Sequence, residues 1–214
     1  MEPIVPLQPD PGAFNWLWGY FMPLGLLLLV WAGLTPRKAR RVTPLAAMAL
    51  ALGILGYWSV GFAFHMGGAY AVNPDDSALQ GLQRLFSIVP GDAGWGIIGL
   101  AGFFLADNDV TPAVFRLFLA YLPLVASAVL LVTLALAHTR RWVMVTAGAL
   151  TGTVVMPVAA AWMWGSGWLA HLGTTLNLGR GFVDFGGSTL VLWLPGMVVL
   201  PILLLQRREG RSEE

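Results

Sequence analysis

The chain has 214 residues, 57% of them hydrophobic and only 11% charged, with a net charge of +1. A soluble domain carries roughly 25% charged residues, so a chain this apolar, with a mean hydropathy of +0.72, has no means of covering a water-facing surface. The near-zero net charge implies no nucleic-acid partner, and the absence of cysteine excludes disulfides, thiolate metal sites and cysteine nucleophiles.

Residues 1–13 contain Glu2 and Asp10 but no Lys or Arg. A signal peptide needs a basic stretch before its apolar core, so the first apolar run is expected to be a retained helix behind an external N-terminal segment. Crossing a bilayer takes about 20 apolar residues. Runs of that length fall at 14–34, 45–64, 112–137, 142–164 and 185–205. A shorter apolar run at 95–106 suits an interfacial or re-entrant helix. The fold class is therefore all-α integral membrane, with one five-helix domain over 14–206. A long external loop, 65–111, interrupts it and a cytoplasmic tail, 207–214, follows it.

Charge orients the helices. Arg37, Lys38, Arg40 and Arg41 follow the first run, Arg140 and Arg141 the third, and Arg207, Arg208 and Arg211 the fifth. Glu2, Asp10, Asp75, Asp76, Asp92, Asp107, Asp109 and Asp184 fall on the other side. Basic residues stay in the cytoplasm, which predicts an N-out, C-in, multi-pass protein of the cell inner membrane. Trp16, Trp18 and Tyr20, then Trp142, then Trp162, Trp164 and Trp168 collect near the expected boundaries, where aromatic belts form.

The second run carries Ala46, Ala47, Ala49, Ala51, Gly53, Gly56 and Gly61, and the fourth Ala147, Gly148, Gly152, Ala159 and Ala160. Small residues let helices approach closely in lipid, so these two helices are expected inside the bundle. Ionisable residues at membrane depth are costly and default to functional hypotheses. Asp184, at the start of the fifth run, has two readings: a cap for that helix or a cation ligand. Arg116 either snorkels to the outer interface or pairs with Asp107 or Asp109. His65 and His171 are placed on the outer side and His138 at the cytoplasmic end of the third run, where a helix C-terminus favours a cation. No histidine pair has metal-ligand spacing and no Ser–His–Asp set or phosphate loop is present. No enzyme, metal or cofactor is therefore expected.

Two stretches point to a family. Met163-Trp164-Gly165-Ser166-Gly167-Trp168-Leu169-Ala170-His171 resembles the end of the fourth helix in ammonium transporters of the Amt/Rhesus family. Asp184-Phe185-Gly186-Gly187-Ser188-Thr189-Leu190-Val191 resembles the start of their fifth, whose usual form is Asp-Phe-Ala-Gly-Gly-Thr-Val-Val-His. Weaker likenesses sit at Ala32-Gly33-Leu34-Thr35-Pro36-Arg37-Lys38 and at Gly61-Phe62 with Gly67. The resemblance covers the N-terminal five-helix half of that family. It implies one of two inverted repeats, between which ammonium passes along a narrow path, in line with transporters whose site lies at a repeat interface.

The resemblance assigns path positions residue by residue. Trp164 matches the tryptophan of the outer recruitment site, where a cation rests on an aromatic face, and Asp184 the aspartate near it. Phe118 matches a gating phenylalanine, with Leu124 in place of a second. Leu192 stands where the family has the first of its two pore histidines, and the second belongs to the other half. Two functions follow as expectations. One is a half-transporter that acts with a second-repeat subunit in ammonium or ammonia passage. The other is a non-conducting structural subunit of a larger membrane complex, for which the 65–111 loop offers a partner-binding surface. In both, the partners are the lipid bilayer and other membrane subunits.

Overall fold

The structure is a computed structural model that describes residues 15–106, 110–165, 167–177, 181–184 and 187–212. The expected N-terminal segment 1–13 and the acids Asp107 and Asp109 lie outside these residues. Four helices are long and apolar enough to cross a membrane: α2 (Pro36–Val72), α3 (Pro112–Ala135), α4 (Arg141–Met163) and α5 (Thr189–Arg207). The first run gives a shorter apolar helix, α1 (Phe21–Ala32), preceded by a 3-10 turn over Asn15–Tyr20.

Arg37, Lys38, Arg40 and Arg41 are not a connecting loop. Pro36 opens α2 after the extended Thr35, and the four basic residues form its first turns. Proline at a first helical position loses no hydrogen bond and has its φ preset, so the helix starts there and not at Leu45. At the other end, α5 stays helical through Ser212, taking in most of the expected tail.

Helices α2 and α4 pack most extensively against each other, with α3 beside both. A Cβ on Gly152 would lie 2.7 Å from Val129 of α3 and 2.9 Å from the Gly53 Cα of α2. A Cβ on Gly148 would come within 3.1 Å of the Ala49 Cβ. The small-residue faces read from the sequence thus form one three-helix crossing.

Three of the long helices each widen for one π-helical turn, at Tyr57–Gly61, Thr151–Val155 and Thr189–Trp193. Pro157 and Pro195 explain two of them. A proline ring inside a helix collides with the carbonyl four residues back and gives it no N–H, and a wider turn relieves both problems. The widened turns of α2 and α4 face each other: a Cβ on Gly61 would meet Pro157 at 3.0 Å and the Thr153 carbonyl at 3.1 Å. Pro123 poses the same problem in α3. The Leu119 carbonyl, which it leaves without a helical donor, accepts the Tyr20 hydroxyl at 2.9 Å.

The expected short helix at 95–106 is replaced by a strand between two 3-10 turns. β1 (Leu85–Ser87) pairs antiparallel with β2 (Gly96–Gly99), and Ala93–Trp95 and Phe103–Leu105 form the turns. Pro90-Gly91 is a turn signal, with Gly91 at φ +83°. Gly94, Gly96, Gly99 and Gly102 then each disfavour a helix. The hairpin joins the bundle through Arg84 N–H to the Gly67 carbonyl at 3.0 Å and Trp168 N–H to the Gly96 carbonyl at 3.0 Å.

Gly152→Leu is expected to lower stability in detergent by about 1–3 kcal/mol, the usual cost of overfilling a packed crossing. Gly25→Ala, at a site with nothing within 4 Å, should leave it unchanged. Equal stability of the Gly152 variant and the parent would mean that this crossing does not hold the bundle.

Candidate functional site

Among the described residues, the buried His65 sits in one column of rings. It begins at Trp164, where α4 ends, and runs through Tyr121 of α3, His65 and Tyr57 of α2, to Phe118 of α3. Trp164 and Tyr121 stack with centroids 5.6 Å apart, and Tyr121 meets the His65 ring edge-on at 4.6 Å. Tyr57 Oη and His65 Nδ1 share a hydrogen bond of 3.0 Å. Tyr57 then stacks on Phe118 at 5.6 Å with only 14° between the planes. Phe62 closes the column with edge contacts to Tyr57 and Phe118.

Local sequence explains each placement. Tyr57 and His65 are eight residues apart. At about 100° per residue an ordinary helix would set such a pair about 80° out of line. The π-helical turn over Tyr57–Gly61 advances less per residue and brings both onto the face that meets α3 and α4. The Trp-Gly-x-Gly turn serves the same contact. A Cβ on Gly165 would collide with the His65 carbonyl, so only glycine lets the end of α4 lie against α2 here.

Phe118 and Trp164, two of the sequence-derived path residues, therefore belong to one cluster, although they do not touch each other. Phe118 is 7% exposed. Asp184 lies at the mouth of α5: its Oδ1 accepts the Thr189 N–H at 3.0 Å and the Ser188 hydroxyl at 3.5 Å. That is helix capping, since the first N–H groups of a helix have no partner of their own. Its Oδ2 is buried without a hydrogen-bond partner among the described residues. Gly187, at φ +74°, places the start of α5 against Trp164. A Cβ there would stand 3.2 Å from the indole ring.

Leu192 does not join the ring column. It is 56% exposed and lines an open groove of about 710 Å³ with Met163, Leu169, Phe182, Ser188, Thr189 and Trp193. The neighbouring Leu190 and Val191 face inward and are fully buried.

His65, read from the sequence only as lying on the outer side, is 1% exposed inside α2, and its burial against Tyr121 and Trp164 is what sequence reading missed. Helical periodicity could not reveal this, because the widened turn breaks the register between Tyr57 and His65. Of the other basic groups, Arg84, Arg116 and His138 are exposed. Trp142 is 64% exposed, as a belt residue would be, whereas Trp164 is taken up by the column. Among the described residues, no three His, Asp or Glu side chains come together to hold a metal ion.

Apolar helices of spanning length, joined at glycine crossings around a buried aromatic column, define a multi-pass helical membrane protein. Residues 16–214 match the Ammonium Transporter Family, and the chain belongs to that family, one of transporters and not of enzymes. It is 28% identical over 198 residues to "Ammonium transporter Amt2" of Archaeoglobus fulgidus, a match covering 90% of this chain and 37% of that protein. The chain thus spans little more than a third of that relative. No solved structure matches it.

Replacing Asp184 by Ala is expected to cost about 0.5–2 kcal/mol of stability, the usual value of a lost helix cap. Asp184→Asn, which keeps an acceptor oxygen, should retain most of it. Thermal unfolding of the two variants in detergent decides this; equal losses would show that the charge matters and the cap does not.

Proposed function

We propose that this chain forms one wall of a path for ammonium or ammonia across the cell inner membrane, with its N-terminus outside and its C-terminus in the cytoplasm. In this reading it acts with a second subunit that supplies the opposite wall. The observation that carries it is the Leu192 groove. The family resemblance gives this position to the path, and here it is open, walled on one side only by α4, α5 and the segment between them. A path lined by a single repeat needs a second one to close it.

Trp164 has the role of an aromatic platform at the entrance, where a cation is attracted to the ring face. Asp184 fixes the start of α5 so that Gly187 seats against that ring. Phe118, buried against Tyr57, is the constriction below. An apolar passage admits neutral ammonia far more readily than a charged ion, which is costly at membrane depth.

One observation favours a second reading. Leu192 offers no hydrogen bond at the place where the family has a histidine, and the Tyr57–Phe118 stack fills the space below Trp164. On this reading the repeat is a non-conducting structural subunit of a larger membrane complex, and the open groove is where a neighbouring subunit docks.

Uptake of labelled methylammonium by vesicles holding the purified native assembly separates the two. Conduction predicts uptake above that of empty vesicles. It also predicts a drop of about tenfold in apparent affinity for Trp164→Leu, the equivalent of one cation–π contact of about 1.5 kcal/mol. Uptake no greater than in empty vesicles would sink the transport reading in favour of the structural one.

A further inference from the structure

We infer that His65 Nε2 is the anchoring group of an internal binding site for one small neutral hydrogen-bonding molecule, held where the His65 ring meets Tyr121 and Trp164. The inference starts from an orphaned atom. His65 Nδ1 is engaged by the Tyr57 hydroxyl, and Nε2 of the same ring is buried with no partner among the described residues. Neither tautomer removes the problem. If Tyr57 donates to Nδ1, then Nε2 carries a proton with no acceptor. If Nδ1 donates to Tyr57 Oη, then Nε2 is a lone pair with no donor. Buried polar atoms are otherwise almost always paired, and an unpaired one marks a place where a small molecule completes the structure.

The surroundings select the class of guest. The rings set against His65 are those of Tyr57, Tyr121 and Trp164, none of them charged. A charged guest would have no counter-ion there, which is costly inside a membrane. A neutral molecule with both a lone pair and a hydrogen to donate satisfies either tautomer. Ammonia and water share that chemistry. Size is limited by the short ring contacts, with the Tyr121 centroid only 4.6 Å and the Trp164 centroid 6.2 Å from that of His65.

The identification of ammonia as the guest rests on the transport reading above; the site itself does not. Its position fits that reading. The ring stands between Trp164 and Phe118, so this chain has a histidine on the column although Leu192 occupies the family's histidine position. A guest at Nε2 would meet a hydrogen-bonding relay to Tyr57, where an all-apolar column would offer none.

The chain has three histidines, so nitrogen NMR of the native assembly with labelled histidine gives few signals. Loss of one pair of ring-nitrogen signals each in His138→Gln and His171→Gln assigns the third pair to His65. Ammonium chloride is then titrated in at fixed pH and ionic strength, with sodium chloride as the control. A saturable movement of the His65 Nε2 signal by several ppm, with the other two unmoved, identifies ammonia. No response to ammonium, together with magnetisation transfer from a bound water to the Nε2 position, identifies water. A signal that answers to neither overturns the site. Tyr57→Phe should shift the tautomer balance of the His65 signal and no other; an unchanged balance would mean that the Tyr57–His65 bond is absent and would also overturn it. Vesicle uptake distinguishes the two proposals. A guest at His65 without uptake keeps the site and removes the transport reading, and uptake with a silent His65 does the reverse.

Discussion

Everything else in this structure depends on the glycine contact between α2 and α4. Gly53 and Gly152 bring two helix backbones together at a separation that a single methyl group would forbid. In a membrane no hydrophobic effect drives helices together, so close packing has to supply the attraction. Once α2 and α4 are held this close, their widened turns face each other, and α3 fits its Val129 side against both. The position of every ring in the column follows from that three-way seat.

The widened turns convert this packing into chemistry. A regular α2 would set Tyr57 and His65 about 80° out of line. The turn over Tyr57–Gly61 aligns them, and the glycine of the Trp-Gly-x-Gly turn lets Trp164 close over the top. The same economy of polar groups appears at Pro123, where Tyr20 supplies the hydrogen bond that the proline removes. A backbone carbonyl without a partner in hydrocarbon costs several kcal/mol, which is why a tyrosine from a separate helix is placed there.

Much of this was legible in the sequence. Long apolar runs gave four helices of spanning length and one shorter, small residues marked two of them for burial in the bundle, and the acid before the fifth run, read as a cap or a cation ligand, caps α5. The resemblance at Trp164-Gly165 and Asp184 gave the family. What was not legible has a common cause, the loss of regular register. The run at 95–106 is apolar enough for a helix, yet its glycines give a strand between turns. Basic Arg37 to Arg41 look like a loop, yet Pro36 makes them the start of a helix. His65 carries no sequence signal of its burial, because the widened turn sets which way it faces. Phe118 and Trp164 were both singled out, but only packing shows that His65, Tyr57 and Tyr121 connect them. Leu192 was expected in the path by resemblance, and its exposure in a one-sided groove is a property that only the fold provides.

The proposed function makes this helical unit one wall of a path that meets a second unit across the Leu192 groove. The direct measurement is purification of the assembly from its own membrane in mild detergent, with mass spectrometry of every stoichiometric component. The expected result is a second unit of the same family in equal amount, trapped by a photoreactive residue placed at position 192. An assembly of unrelated membrane subunits, with the groove against one of them, would contradict it.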